Sequence, residues 1–340
     1  MLVIFLTVLV TLLAALAVTQ LICARIDVRK FPAAGDIVKI DSGTMHVRRM
    51  GERGPAVVLE SGIAASSLNW CRLQPELAQF TTAYSYDRAG FGWSTTNDPT
   101  CSLKKITSDL HSLLHAMNVP QPYILVGHSF GGYITRAYAH RYPDELAGLV
   151  LVDPLTPEEW ITPTPEQLWL LRRGIWFARI GGALATFGFV RGPPWLMQRG
   201  NREAPRKMLG TFGPKAVETV SRIVREVTKL PPDVLRVIRA LWSRPKFYWT
   251  MSRYLESIPS CARELQDARL PHDLPVTVLS GAHQPEVRLR EHSQIAAQSS
   301  AGKHVIADQS AHWVHLDQPD LVSQAVREIA LSLTEKTMAG

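Results

Sequence analysis

The chain has 340 residues, of which 46% are hydrophobic and 20% charged, with 22 Gly and 23 Pro spread along its length. That is too apolar for a disordered chain and too even for a collagen-like or linker segment, and no repeat of solenoid period is present. The 37 Lys and Arg against 30 Asp and Glu point to an anionic partner such as nucleic acid, a membrane or an acidic substrate, and the location of the excess decides among them.

Residues 1–24 carry no charged side chain. At 1.5 Å per residue they reach about 36 Å as a helix, enough to cross a hydrocarbon core of about 30 Å. A secretory signal would want a basic start and a shorter apolar core before a small-x-small cleavage site. Ala15-Leu16-Ala17 offers such a site, but the basic start is missing and the apolar run continues past it. An uncleaved single-pass transmembrane anchor is therefore expected, with secretion after signal cleavage as the alternative. Arg25, Arg29 and Lys30 follow at once, which favours the cytoplasmic side for the rest of the chain.

Asp36–Ile40 and Met45–Met50 flank the turn signal Asp41-Ser42-Gly43 and read as a hairpin. Ala56–Leu59 is a short buried strand, and Ala83–Tyr86 a weaker one. Leu103, Ile106, Leu110, Leu113, Leu114 and Met117 recur at helical spacing before Pro120. A strand at Tyr123–Val126, a helix through Ile134 to about Pro143 and a strand at Leu149–Val152 come next. The alternation resumes with strands at Val276–Leu279 and His304–Ala307 and a last helix through Leu321 to Ile329. This order predicts an α/β fold, a mostly parallel sheet with helices on both faces. Residues 36–154 and 272–334 are its core, and residues 155–271 are an insertion.

That insertion carries 19 Lys and Arg against 10 Asp and Glu and six of the nine tryptophans, Trp195 among them. The remainder of the chain is nearly balanced, so the basic excess is local. Trp with Arg suits the headgroup zone of a bilayer. The membrane is the expected partner, and nucleic acid is excluded because no groove-reading motif accompanies the charge. The four cysteines form no CxxC pair and no Cys/His cluster at zinc spacing, so neither a disulfide framework nor a metal is expected.

Gly127-His128-Ser129-Phe130-Gly131 follows a strand and opens a helix, the setting in which G-x-S-x-G places a serine on a strained turn above the strand ends. Here the chain resembles the α/β-hydrolase superfamily over residues from about 36 to 334. Glu60-Ser61-Gly62-Ile63 resembles the loop that supplies an oxyanion N–H, with Ser61 where these proteins usually have His. Asp87-Arg88-Ala89-Gly90-Phe91-Gly92-Trp93-Ser94 resembles their D-x-x-G-x-G-x-S turn, in which Asp87 and Arg88 are read as structural. Ser310-Ala311-His312-Trp313 resembles their histidine loop, with His315 as a competitor to His312.

The resemblance implies a serine hydrolase of carboxylic esters, with Ser129 as nucleophile, His312 as general base and the Ile63 and Phe130 N–H groups as oxyanion hole; the apolar anchor and the Trp- and Arg-rich insertion point to lipid-like esters. It also implies a helical cap formed by the insertion. No cofactor or metal is implied. The acid is Asp153, with Glu286 as the alternative, because Gln284 occupies the place where many members carry aspartate. Amide, thioester or carbon–carbon hydrolysis, perhydrolysis, and a non-catalytic binding protein on the same fold stay open.

Overall fold

The computed structural model of the protein describes residues 1–191 and 225–339, and Trp195 lies outside them. The chain groups into two units, residues 1–32 with 173–252 and residues 33–172 with 253–340.

The second unit holds a nine-stranded sheet. Its strands are β1 (Asp36–Ile40), β2 (Gly43–Met50), β3 (Ala56–Glu60), β4 (Thr82–Tyr86), β5 (Thr95–Thr96), β6 (Tyr123–His128), β7 (Leu146–Val152), β8 (Val276–Gly281) and β9 (Gly302–Ala307). The order across the sheet is β1-β2-β4-β3-β6-β7-β8-β9, with β5 added to β2. The pairs of β2 with β1, β4 and β5 are antiparallel. From β4 to β9 every pair is parallel. The expected α/β class and all eight expected strands are present. The two-residue β5 lies below the length at which a hydrophobic period can be read.

Successive residues of a strand face opposite sides of a sheet, and the central strands are apolar on both. Ala56, Val58, Leu125, Leu149 and Leu151 form one core with Leu110, Leu113 and Leu114 of the helix Leu103–Ala116. Val57, Leu59, Ile124, Val126, Val150 and Val152 form the other with Leu73 and Leu77 of Leu73–Leu77 and with Val322, Val326 and Ile329 of the last helix, Pro319–Ala339. Burial on both faces explains why these strands read as continuous apolar runs instead of alternating ones.

In the first unit, Leu2–Lys30 is one helix of 29 residues, about 43 Å long. It is long and apolar enough to cross a membrane. The hydroxyls of Thr7, Thr11 and Thr19 each donate to the carbonyl four residues earlier, so these three hydroxyls are satisfied within the helix itself. Its final turns behave differently. Gln20 is buried, donates to the Ser243 carbonyl and accepts from Arg191 Nε at 2.6 Å. Asp27 pairs with Arg191 at 2.8 Å. The helix therefore has a polar foothold in its own unit that the apolar run of residues 1–24 does not reveal.

Candidate active site

The strand β6 ends at His128, and the helix Gly131–Arg141 begins three residues later. Ser129 fills the turn with a left-handed φ of +56°, a conformation that a non-glycine residue adopts only when its surroundings hold it there. Those surroundings are on both sides. Ser129 N–H donates to Val152 O at 3.0 Å, and Ser129 O accepts from Gly132 and Leu155 N–H. The turn also needs room. A Cβ on Gly127 would lie 2.7 Å from Gly131 O, and one on Gly131 would lie 2.4 Å from Glu60 O. Only glycine lets strand, turn and helix approach so closely.

Ser129 lines a cavity of about 220 Å³ together with Ile63, His128, Trp160, His312 and Trp313. His312 Nδ1 lies 2.5 Å from Asp153 Oδ2, the imidazole partly exposed and the carboxylate fully buried. Asp153 follows β7 directly, with φ +43°. Its Oδ1 accepts from Gly281 N–H at 3.1 Å, and its Oδ2 accepts also from the Gln284 amide at 2.5 Å. A buried carboxylate is stable when hydrogen-bonded on both oxygens. Donation from His312 Nδ1–H to Asp153 leaves Nε2 as the basic nitrogen.

The structure thus brings Ser129, His312 and Asp153 to one place and leaves Glu286 elsewhere. Glu286 is exposed on the first turn of the helix Glu286–Ala296. His315 is buried, its ring 4.7 Å from Trp70 and 4.4 Å from His128. Phe130 is the residue before the helix Gly131–Arg141, which with the Ser129 turn makes a strand-to-helix elbow, and Ile63 lines the cavity. Among the described residues, neither N–H donates a hydrogen bond within the protein, so both remain available to an oxyanion.

Around this centre lie supporting residues, some of whose partners the sequence does not show. Ser61 donates to Ser66 O and accepts from Trp70 Nε1 at 2.8 Å, which braces the loop carrying Ile63. Arg88, buried, pairs with Glu60 and donates to the Ser61 and Gly62 carbonyls. It therefore fixes the Ile63 loop as well as its own turn. Burial pushes the Glu60 carboxyl up, and Arg88 and Tyr86 only partly offset this. Asp87 takes the other half of the turn, accepting from His46 at 3.0 Å and from the Ser67 and Trp93 N–H groups. These partners outweigh burial and hold its carboxyl below the ordinary range. Gln284 in turn accepts from Arg288 at 3.0 Å, and Arg288 grips both oxygens of Glu159 at 2.6 Å. His128 donates Nε2–H to His312 O at 3.0 Å. Burial, and then His315 and His312 beside it, push its imidazole well below the usual range, so it stays neutral. The structural reading of Asp87 and Arg88 and the place of Gln284 at the missing acid position were visible in the sequence; the partners of Glu60, Ser61, His128, Arg288 and Glu159 were not.

The family model for the alpha/beta hydrolase fold matches residues 55–319. The chain is 27% identical over 275 residues to the abhydrolase domain-containing protein abhd-5.2 of Caenorhabditis elegans, covering 76% of this chain and 57% of that protein. It therefore spans little more than half of that relative's length. It is 25% identical over 293 residues to the (lyso)-N-acylphosphatidylethanolamine lipase of Bos taurus, covering 83% of this chain and 80% of that one. A thermophilic esterase from Thermogutta terrifontis superposes with a TM-score of 0.59 at 22% identity, over 86% of this chain and 97% of the other. With the family model spanning most of the sheet, the elbow and the histidine loop, the chain belongs to the alpha/beta hydrolase fold family.

Proposed function

We propose that the protein is a serine hydrolase that cleaves carboxylic esters of lipid-like substrates through an acyl-enzyme on Ser129. The observation that carries the reading is the contact of His312 Nδ1 with the buried Asp153 carboxylate, on the wall of the cavity that also holds Ser129 in its strained turn. In this reading His312 Nε2 takes the Ser129 proton as Oγ attacks the acyl carbon. Asp153 fixes the tautomer and stabilises the imidazolium. The N–H groups of Ile63 and Phe130 receive the oxyanion, and His312 returns the proton to the leaving alcohol. Water, activated by the same imidazole, then releases the acid.

The lipid-like substrate class rests on the helix Leu2–Lys30, exposed and apolar over residues 2–11, and on the lipase among the relatives. We propose that this helix anchors the enzyme in one pass with the catalytic unit on the cytoplasmic side, and that the exposed Trp176 and Trp249 of the insertion meet the headgroup zone; residues 192–224 of the expected cap lie outside the described residues. A panel of acyl esters of graded chain length, with Ser129→Ala as control and fluorophosphonate labelling of the serine, tests the reading. Labelling at Ser129 with turnover that rises with acyl length supports it. Absence of both in the folded, detergent-solubilised chain overturns it in favour of a non-catalytic binding protein.

A further inference from the structure

A second cluster of chemistry-bearing residues lies away from Ser129. The helix Leu103–Ala116 carries His111 and His115 one turn apart, so both imidazoles project from one face. Glu145 ends the short turn Pro143–Glu145 just before β7. His111 Nε2 and His115 Nε2 each lie 3.1 Å from the same oxygen, Glu145 Oε1. All three ligand atoms fall within 4.8 Å of one another. We propose that His111, His115 and Glu145 form a binding site for a divalent transition ion of the zinc type.

The chemistry fits. Two imidazoles and one carboxylate are the donor set of a zinc site that keeps a fourth position for water. With bonds of about 2.0–2.2 Å, tetrahedral ligand atoms stand roughly 3.3 Å apart, close to the two 3.1 Å separations found here. The donor set is also held in place from outside. Tyr138 donates its hydroxyl to the other Glu145 oxygen at 2.5 Å. The His111 ring stacks on Tyr142 at 4.2 Å. Such outer hydrogen bonds orient ligating carboxylates in metal sites. The side chain of His115 is half exposed and that of His111 less so, so an ion has a path in and room for water.

The site stands apart from the proposed hydrolytic centre. Glu145 immediately precedes β7, and Asp153 immediately follows it. Eight residues of extended chain separate them by about 26 Å. A bound ion would clip the helix Leu103–Ala116 to the turn that feeds β7 and would not touch the reacting ester. The proposal therefore does not depend on the esterase reading.

Zinc chloride is titrated into the full chain in detergent after chelator treatment and dialysis, read by calorimetry and by thermal unfolding. One ion per chain with a micromolar Kd and a raised Tm is expected. His115→Ala, at a half-exposed position, raises Kd more than tenfold, and Tyr138→Phe raises it roughly tenfold through the lost outer hydrogen bond. Magnesium does not substitute, because it prefers oxygen ligands. Hydrolysis of a short ester is unchanged by His115→Ala. Absence of zinc binding by the folded wild type up to 0.1 mM, or an unchanged Kd in His115→Ala, overturns the proposal.

Discussion

The Gln284 side-chain nitrogen lies 2.5 Å from Oδ2 of Asp153, the oxygen that also faces His312. A neutral amide thus stands where the family resemblance places an acid in many members, and it donates to the Asp153 carboxylate at the end of β7. Gln284→Glu puts a second negative charge beside Asp153 and His312. The substitution also removes the donor that Asp153 Oδ2 accepts from, so the hold on the Asp153 carboxylate loosens and kcat should fall about tenfold. An unchanged kcat would mean that Gln284 has no part in holding Asp153 against His312.

Asp153→Asn should lower kcat by about 10⁴-fold, because an amide presents the wrong hydrogen-bond polarity to His312 Nδ1. Asn accepts the left-handed backbone at this position better than most residues, so far-UV circular dichroism should be unchanged. Glu286→Gln, on an exposed turn, should leave turnover within a factor of two. The reverse pattern would transfer the role of acid to Glu286.

Gly131→Ala places a Cβ 2.4 Å from Glu60 O, which is backbone and cannot swing aside. The elbow helix and β3 must part, at a cost of roughly 1–3 kcal/mol. The midpoint of thermal unfolding should fall by roughly 2–4 °C per kcal/mol, and serine labelling should slow. An unshifted midpoint would show that the elbow has slack which the geometry denies.

His292, with His128, contributes to the pH dependence of stability. It is buried, donates Nε2–H to Pro154 O at 2.8 Å and receives the Ser280 hydroxyl on Nδ1 at 2.6 Å, a set of partners that suits the neutral ring. Burial lowers its pKa from 6.5 to about 4. Between those values the unfolded chain binds a proton that the folded chain refuses, so stability falls as pH drops from 6.5 to 4, by at most about 3 kcal/mol. Urea midpoints measured across this range should show the decline, and His292→Gln, less stable at pH 7, should show a flatter one.

Removal of residues 1–19 should release the protein from carbonate-washed membranes while keeping the Asp27–Arg191 pair and the Gln20 contacts. Removal of residues 1–30 loses both, so its thermal midpoint should be lower than that of the shorter truncation. Equal midpoints would show that the foothold of the helix adds nothing to stability.

Local patterns in the sequence are enough for the eight longer strands, three of the helices that flank them, the elbow at Ser129 and the candidate histidine, but not for the helices Leu73–Leu77 and Glu286–Ala296. Each is written in a run of neighbours: apolar strands bounded by turn residues, a 3.6-residue period, glycines two residues either side of the serine. The choice between Asp153 and Glu286 is not local. Both stand at plausible distances along the chain, and only the alignment of β7 beside β8 puts Asp153 against Gly281, Gln284 and His312. The same holds for Arg88, which reaches back across the sheet to brace the Ile63 loop, and for Gln20, which sits in an apolar run yet finds partners at residues 191 and 243. His111 and His115 show the boundary most plainly. Their one-turn spacing is legible in the helix, but the carboxylate they share comes from Glu145, 30 residues on from His115, and only the packing of one helix against the next turn brings it within reach. Sequence determines what a residue can do within a turn or two of its neighbours. Which distant groups it meets is decided when the sheet closes and the layers pack.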